Sequence, residues 1–144
     1  MEPRDRALLH ARVRIAVGAT FVLFPGLVGR MWIGSDAARR PVKVLARAFG
    51  ARDLAIGLGI VIALDRGTPV RGWVEAGAMS DGIDTAASLI AGGSIHPAIR
   101  WPAIAAGAAS TATGVSLAPH FHDAPKPIPG QTPEAVLTGH PAES

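Results

Sequence analysis

The stretch "WPAIAAGAASTATGVSLAPHFH", residues 101–122, decides how this chain is read. It contains no Asp, Glu, Lys or Arg, and no polar face stands out along it. A helix at the surface of a soluble protein buries an apolar stripe and turns a charged one to water. This stretch has no charged stripe to turn, so it predicts a helix surrounded by lipid and by other helices.

Three further stretches share its character: residues 15–29, which can extend back over Leu8, Leu9, Ala11 and Val13, then 42–64 and 70–95. The quoted stretch itself belongs to a fourth, 99–118. Each is close to the roughly 17–25 residues that a membrane-spanning helix needs. The punctuation agrees. Pro25-Gly26 interrupts the first stretch and leaves "LVGRMWIG" as a short interfacial piece. Pro41 suits the first position of the second helix, and Thr68-Pro69 the N-cap and first position of the third. Gly92-Gly93 stops the third helix, His96-Pro97 opens the fourth and Pro119 closes it. Trp32, Trp73 and Trp101 all fall beside expected span ends, as in an aromatic belt.

Composition points the same way. The chain of 144 residues is 49% hydrophobic and 17% charged, and its mean hydropathy is +0.31 despite a polar tail. It has no cysteine, hence no disulfide framework and no thiolate chemistry. The isoelectric point near 10.6 reflects a net charge of only +3, with basic residues set between apolar stretches and few aromatics to stack on bases, which excludes nucleic acid as a partner. No A-x-A-like site follows the first apolar run, so a cleaved signal peptide is not expected. The predicted fold is all-α: a transmembrane four-helix bundle over residues 1–118, followed by a disordered, proline-rich tail over 119–144, in the cell membrane as a multi-pass protein. Orientation is not legible. Seven basic residues fall on one side of four spans and six on the other, and the positive-inside rule does not separate them.

Small residues recur at every fourth position: Ala51, Ala55, Gly59 and Ala63; Ala76, Ser80, Asp84, Ser88 and Gly92; Ala106, Ser110, Gly114 and Ala118. Such stripes let helix backbones approach closely in lipid, within one chain or in a homo-oligomer.

The third stretch also carries "AMSDGIDTAA", residues 78–87, with two carboxylates three apart. At about 100° per residue, Gly77, Asp81, Asp84, Thr85, Ser88 and Gly92 share an arc of about 100°. Glu75 lies off that face. If the second and third helices form an antiparallel pair, Arg52 and Asp84 both lie roughly 18 Å from the intervening turn. "GARD", residues 50–53, then meets "DGID", residues 81–84, at one level. A bidentate Arg52–Asp84 pair follows, with Asp81, Asp53, Ser80, Thr85 and Ser88 completing the hydrogen bonds. It offsets much of the roughly 2.5–3.5 kcal/mol that each unpaired charge costs at the centre of a spanning helix. Three carboxylates against one arginine leave Asp81 without an evident counter-ion.

These residues resemble those of small four-helix bacterial membrane proteins of the DoxX-like kind. The resemblance rests on "FPGLVGRMW", "LARAFGARDLAIGLG" and "GAMSDGIDTAASLIAG", with G-x-R-D in the second helix and D-x-x-D in the third, and covers most of residues 8–118. It implies a fold and little mechanism, and the redox-accessory role of some DoxX-like proteins has no counterpart in a chain without cysteine.

Three functions fit the cluster. It can be the core of an accessory or scaffold protein that binds a membrane partner. It can be the site of a membrane-embedded enzyme hydrating, isomerising or cyclising an apolar small molecule, with Asp81 or Asp84 as acid/base, Arg52 as positioning cation, and Asp53, Ser80, Thr85 and Ser88 around the substrate. It can serve a small proton-coupled carrier. A cavity reaching Asp81 separates the second from the first. No cofactor is implied. The two imidazoles of "HFHD", residues 120–123, sit in the tail and read as solvated, and His10 and His96 read as interfacial, so no metal is assigned.

Overall fold

Proline ends the first helix. The computed structural model describes residues 1–91, 93, 95 and 97–122, without the side chains of Trp32, Ile33 and Pro97. Helix α1 runs Pro3–Leu23 and α2 runs Pro25–Ile33. Pro25 has no N–H to continue the ladder, and the two helices meet at 104°. A 3₁₀ turn, Gly34–Ala38, leads into α3, Arg40–Arg66.

Gly67, at φ +65°, caps α3 in the left-handed conformation, and the N–H of both Gly67 and Thr68 reaches the carbonyl of Ala63. That closure explains a difference from the sequence reading. Thr68 finishes α3 instead of capping the next helix, and α4, Arg71–Ala91, begins two residues beyond Pro69. Helix α5, Pro97–Leu117, opens on the expected proline and ends in a 3₁₀ turn, Ala118–His120. Every regular element among the described residues is helical. Of the expected proline-rich tail, residues 123–144 lie outside the description, as do Gly92 and His96.

The four long helices run up, down, up, down. Gly18 meets Gly50 while Ala11 and Ile15 meet Gly57, so α1 and α3 are antiparallel. Thr85 meets Gly107 while Ala78 meets Gly114, so α4 and α5 are antiparallel too. Hydrogen bonds from Arg6 to Ser116 and between His10 and Ser110 close the ring between α1 and α5.

The α1–α3 and α4–α5 seams are the tightest. A Cβ on Gly18 would lie 2.6 Å from the Gly50 carbonyl oxygen, and one on Gly50 equally close to that of Gly18, so both positions must be glycine for this approach. The expected stripe on α3 is therefore only half right. Gly59 and Ala63 are buried, but Ala51 and Ala55 are exposed, and Gly50 and Gly57 make the seam instead. Trp73 lies over Gly59, where a Cβ would come within 2.5 Å of the indole.

The bundle is packed at one end and hollow at the other. Ala7, Ala11, Ile56, Ile60, Ala63, Val70, Val74, Leu117 and Ala118 fill the end near the α3–α4 turn. Beyond them a cavity lies between the four long helices.

Among the described residues no single helix is long and apolar enough to cross a membrane, though α1 with α2 through Met31 passes as a bent pair. The quoted stretch shows why. It lacks charge but is mostly Ala, Gly, Ser and Thr, whose small side chains carry little transfer free energy. Lack of charge is not the same as apolarity.

Candidate functional site

The site is built where the packed half gives way to the hollow one. Asp53 and Arg52 are neighbours on α3 and so point about 100° apart. Asp53 turns into the bundle, and Arg52 turns toward α4. Asp81 and Asp84, three residues apart, share the face of α4 that meets them.

The expected Arg52–Asp84 pair is present and bidentate, with Nη2 2.5 Å from Oδ2 and Nη1 3.2 Å from Oδ1. The guanidinium also rests 4.6 Å from the ring centroid of Phe49 and 3.6 Å from Oδ1 of Asp53. Phe49 in turn packs on Phe21, with ring centroids 4.8 Å apart.

Asp81 has a counter-ion after all: Arg14. From the middle of α1 its guanidinium crosses the bundle, donating from Nη1 to Oδ1 of Asp53 at 2.7 Å and from Nη2 to Oδ2 of Asp81. Nη2 also approaches the Gly77 carbonyl at 3.3 Å, and a Cβ on Gly77 would lie 3.3 Å from the same nitrogen. Glycine at that position lets the guanidinium reach the α4 backbone. Only 3% of the Arg14 side chain is exposed.

Two more groups join Asp81. The Ser110 hydroxyl donates to its Oδ2 at 2.6 Å, and His10 Nε2 lies 2.7 Å from Ser110 Oγ. Because Ser110 spends its proton on Asp81, the hydrogen-bond network assigns the His10 proton to Nε2. His10 is thus part of the site and not the interfacial residue its position suggests. Thr85, expected beside the carboxylates, donates to the Asp81 carbonyl at 2.7 Å. Ser80 is not brought in: it is buried, but its hydroxyl has no hydrogen-bond partner among the described residues, since one residue back from Asp81 is about 100° off the shared face. Glu75, also off that face, pairs with Arg71 at 2.7 Å.

A cavity of about 550 Å³ opens on this cluster. His10, Arg14, Asp53, Asp81, Asp84 and Ser110 form its polar patch, with Thr85 and Ser88 beside them. Val13, Val17, Phe21, Ile95, Ala103 and Ala106 make most of the remainder apolar. An apolar pocket with a few converging polar groups is the usual form of a small-molecule site. Among the described residues no group of His, Asp or Glu is placed to hold a metal ion.

The sequence offered signals for the missed residues. Extending the first helix back over Leu8, Leu9, Ala11 and Val13 puts Arg14 in its middle and not at its edge. Ser110 already lay on the small-residue stripe of the last helix. Nothing local marks His10. Comparison of the chain with protein-family models, with curated proteins and with solved structures gives no match.

Proposed function

We propose that this is a small multi-pass membrane protein that holds an apolar small molecule in its inter-helix cavity, with Asp81 as the polar anchor. The observation that carries the reading is the cavity itself. A bundle whose polar cluster served only to fix helix packing would close on it, whereas here about 550 Å³ lies against Asp81, Asp84 and Arg14. Arg14 and Ser110 hold one oxygen of Asp81 in place, so the anchor is organised before any ligand arrives.

Placement in a bilayer is supported by an inverted distribution of side chains. Ile60, Leu117 and Val74 are the largest side chains fully enclosed. Leu45, Met79, Ile83, Ile90, Trp101 and Val115 are all more than half exposed. Soluble monomers rarely leave so many large apolar side chains uncovered. The DoxX-like motifs fit the same placement.

Two experiments test the reading. Alkaline carbonate extraction of membranes from expressing cells is expected to leave the protein in the pellet, and release into the supernatant would contradict the placement. A photoreactive apolar diazirine is expected to label Val13, Val17 or Ala103 saturably, and Ala106→Trp, which fills the cavity, is expected to abolish that labelling. Labelling that Ala106→Trp leaves unchanged would rule out the cavity as the site.

A further inference from the structure

The charges around the cavity do not cancel, and the imbalance identifies the polar end of a ligand. We propose that the cavity takes a cationic amphiphile: a compact apolar body bearing one protonated amine, whose ammonium donates to Asp53 and Asp81. This rests on the cavity being a ligand site.

The cluster sets the carboxylates of Asp53, Asp81 and Asp84 against the guanidinia of Arg14 and Arg52. His10 adds no charge in the arrangement described, because its Nε2 proton is directed to Ser110 and its Nδ1 is enclosed without a partner among the described residues. An imidazolium would leave a buried N–H with nothing to accept it. With all three carboxylates ionised, the cluster carries one negative charge in excess, bordered by apolar wall. An uncompensated charge in such a setting is costly, and an incoming cation removes the cost.

The free hydrogen-bonding capacity has the same sign. Asp53 accepts from Arg14 through Oδ1 alone, and Asp81 accepts from Arg14 and Ser110 through Oδ2 alone. The second oxygen of each carboxylate accepts no hydrogen bond among the described residues, and neither is among the enclosed unpartnered atoms. The unpartnered donors nearby, Nε of Arg14 and of Arg52, are by contrast fully enclosed and offer a ligand nothing. Apart from the Ser88 hydroxyl, which can donate or accept, the cavity presents acceptors. An ammonium brings three donors and the missing charge. A carboxylate or phosphate brings neither. An alcohol supplies one donor and no charge, and ranks between them.

A series on one apolar body separates the cases: 1-adamantylamine, 1-adamantanol and adamantane-1-carboxylate, titrated calorimetrically into the full-length protein in a non-ionic detergent near neutral pH. The amine is expected to bind at least tenfold tighter than the alcohol, and the carboxylate not measurably. Asp81→Asn is expected to reduce the preference for amine over alcohol to less than threefold. Should that variant not fold, Asp84→Asn removes the same net charge from the half-exposed pair and is expected to act likewise. Equal or tighter binding of the alcohol or the carboxylate overturns the cationic assignment and leaves the ligand site standing. No binding by any member, together with diazirine labelling that Ala106→Trp does not alter, overturns both.

Discussion

The bundle contains two arginine–aspartate pairs of the same chemistry in opposite settings. The Arg14–Asp81 side chains are 3% and 12% exposed, and those of Arg52 and Asp84 are 35% and 32%. The inner arginine bridges two carboxylates from α3 and α4, and the outer one makes a bidentate pair between adjacent helices. A half-open ion pair contributes less than an enclosed one, because its side chains can shift toward other polar groups when the partner is removed. An enclosed guanidinium is different: its loss leaves Asp81 buried with only Ser110 and Asp53 with only the 3.6 Å approach of Arg52. The inner pair is therefore the keystone of the fold and the floor of the cavity, and the outer pair closes its side.

The sharpest way to break this contrast is Arg14→Ala. It strands Asp53 and Asp81 together and is expected to cost about 3–5 kcal/mol, read as loss of folded protein or of thermal stability in detergent. Asp81→Asn is milder. It keeps the shape and leaves Arg14 paired with Asp53, so a loss of about 1–3 kcal/mol is expected in the same measurement.

Arg52→Ala leaves Asp84 unpaired and is expected to cost about 1–3 kcal/mol, less than Arg14→Ala, and to lower the membrane yield, with Arg52→Ala combined with Asp84→Ala recovering part of the loss. A double variant no better than the worse single one would show that the outer pair does not act as a pair. Gly77→Ala, which brings a methyl against the Arg14 guanidinium, is expected to have the smallest effect, below about 1 kcal/mol.

The two pairs also mark how far the sequence could be read. The outer pair was legible because it joins consecutive antiparallel helices: counting residues back from a four-residue turn places Arg52 level with Asp84, and helical phase does the rest. The helical order was legible for similar reasons, from Pro25, Pro97 and the glycine-rich ends. Arg14 was not, since it reaches Asp81 across the bundle from a non-consecutive helix, and no count along the chain fixes how α1 is set against α4. The same holds for His10 and Ser110, which meet only because α5 returns beside α1. The cavity was illegible for another reason: it depends on how the close Gly18–Gly50 and Thr85–Gly107 contacts set four backbones against one another. Local spacing informs on neighbours in sequence, and the site is made mostly of contacts between distant segments.

The most direct measurement is a ¹⁵N–¹³C dipolar recoupling experiment in lipid, on protein labelled at the arginine guanidino nitrogens and the aspartate carboxyl carbons. With Arg52→Lys removing the outer guanidinium, strong dephasing is expected to remain from Arg14 beside Asp53 and Asp81. With Arg14→Lys, only the Arg52 contribution is expected to survive. Dephasing that vanishes with Arg52→Lys and persists with Arg14→Lys would mean that Arg14 does not reach the carboxylates, and would contradict the central claim.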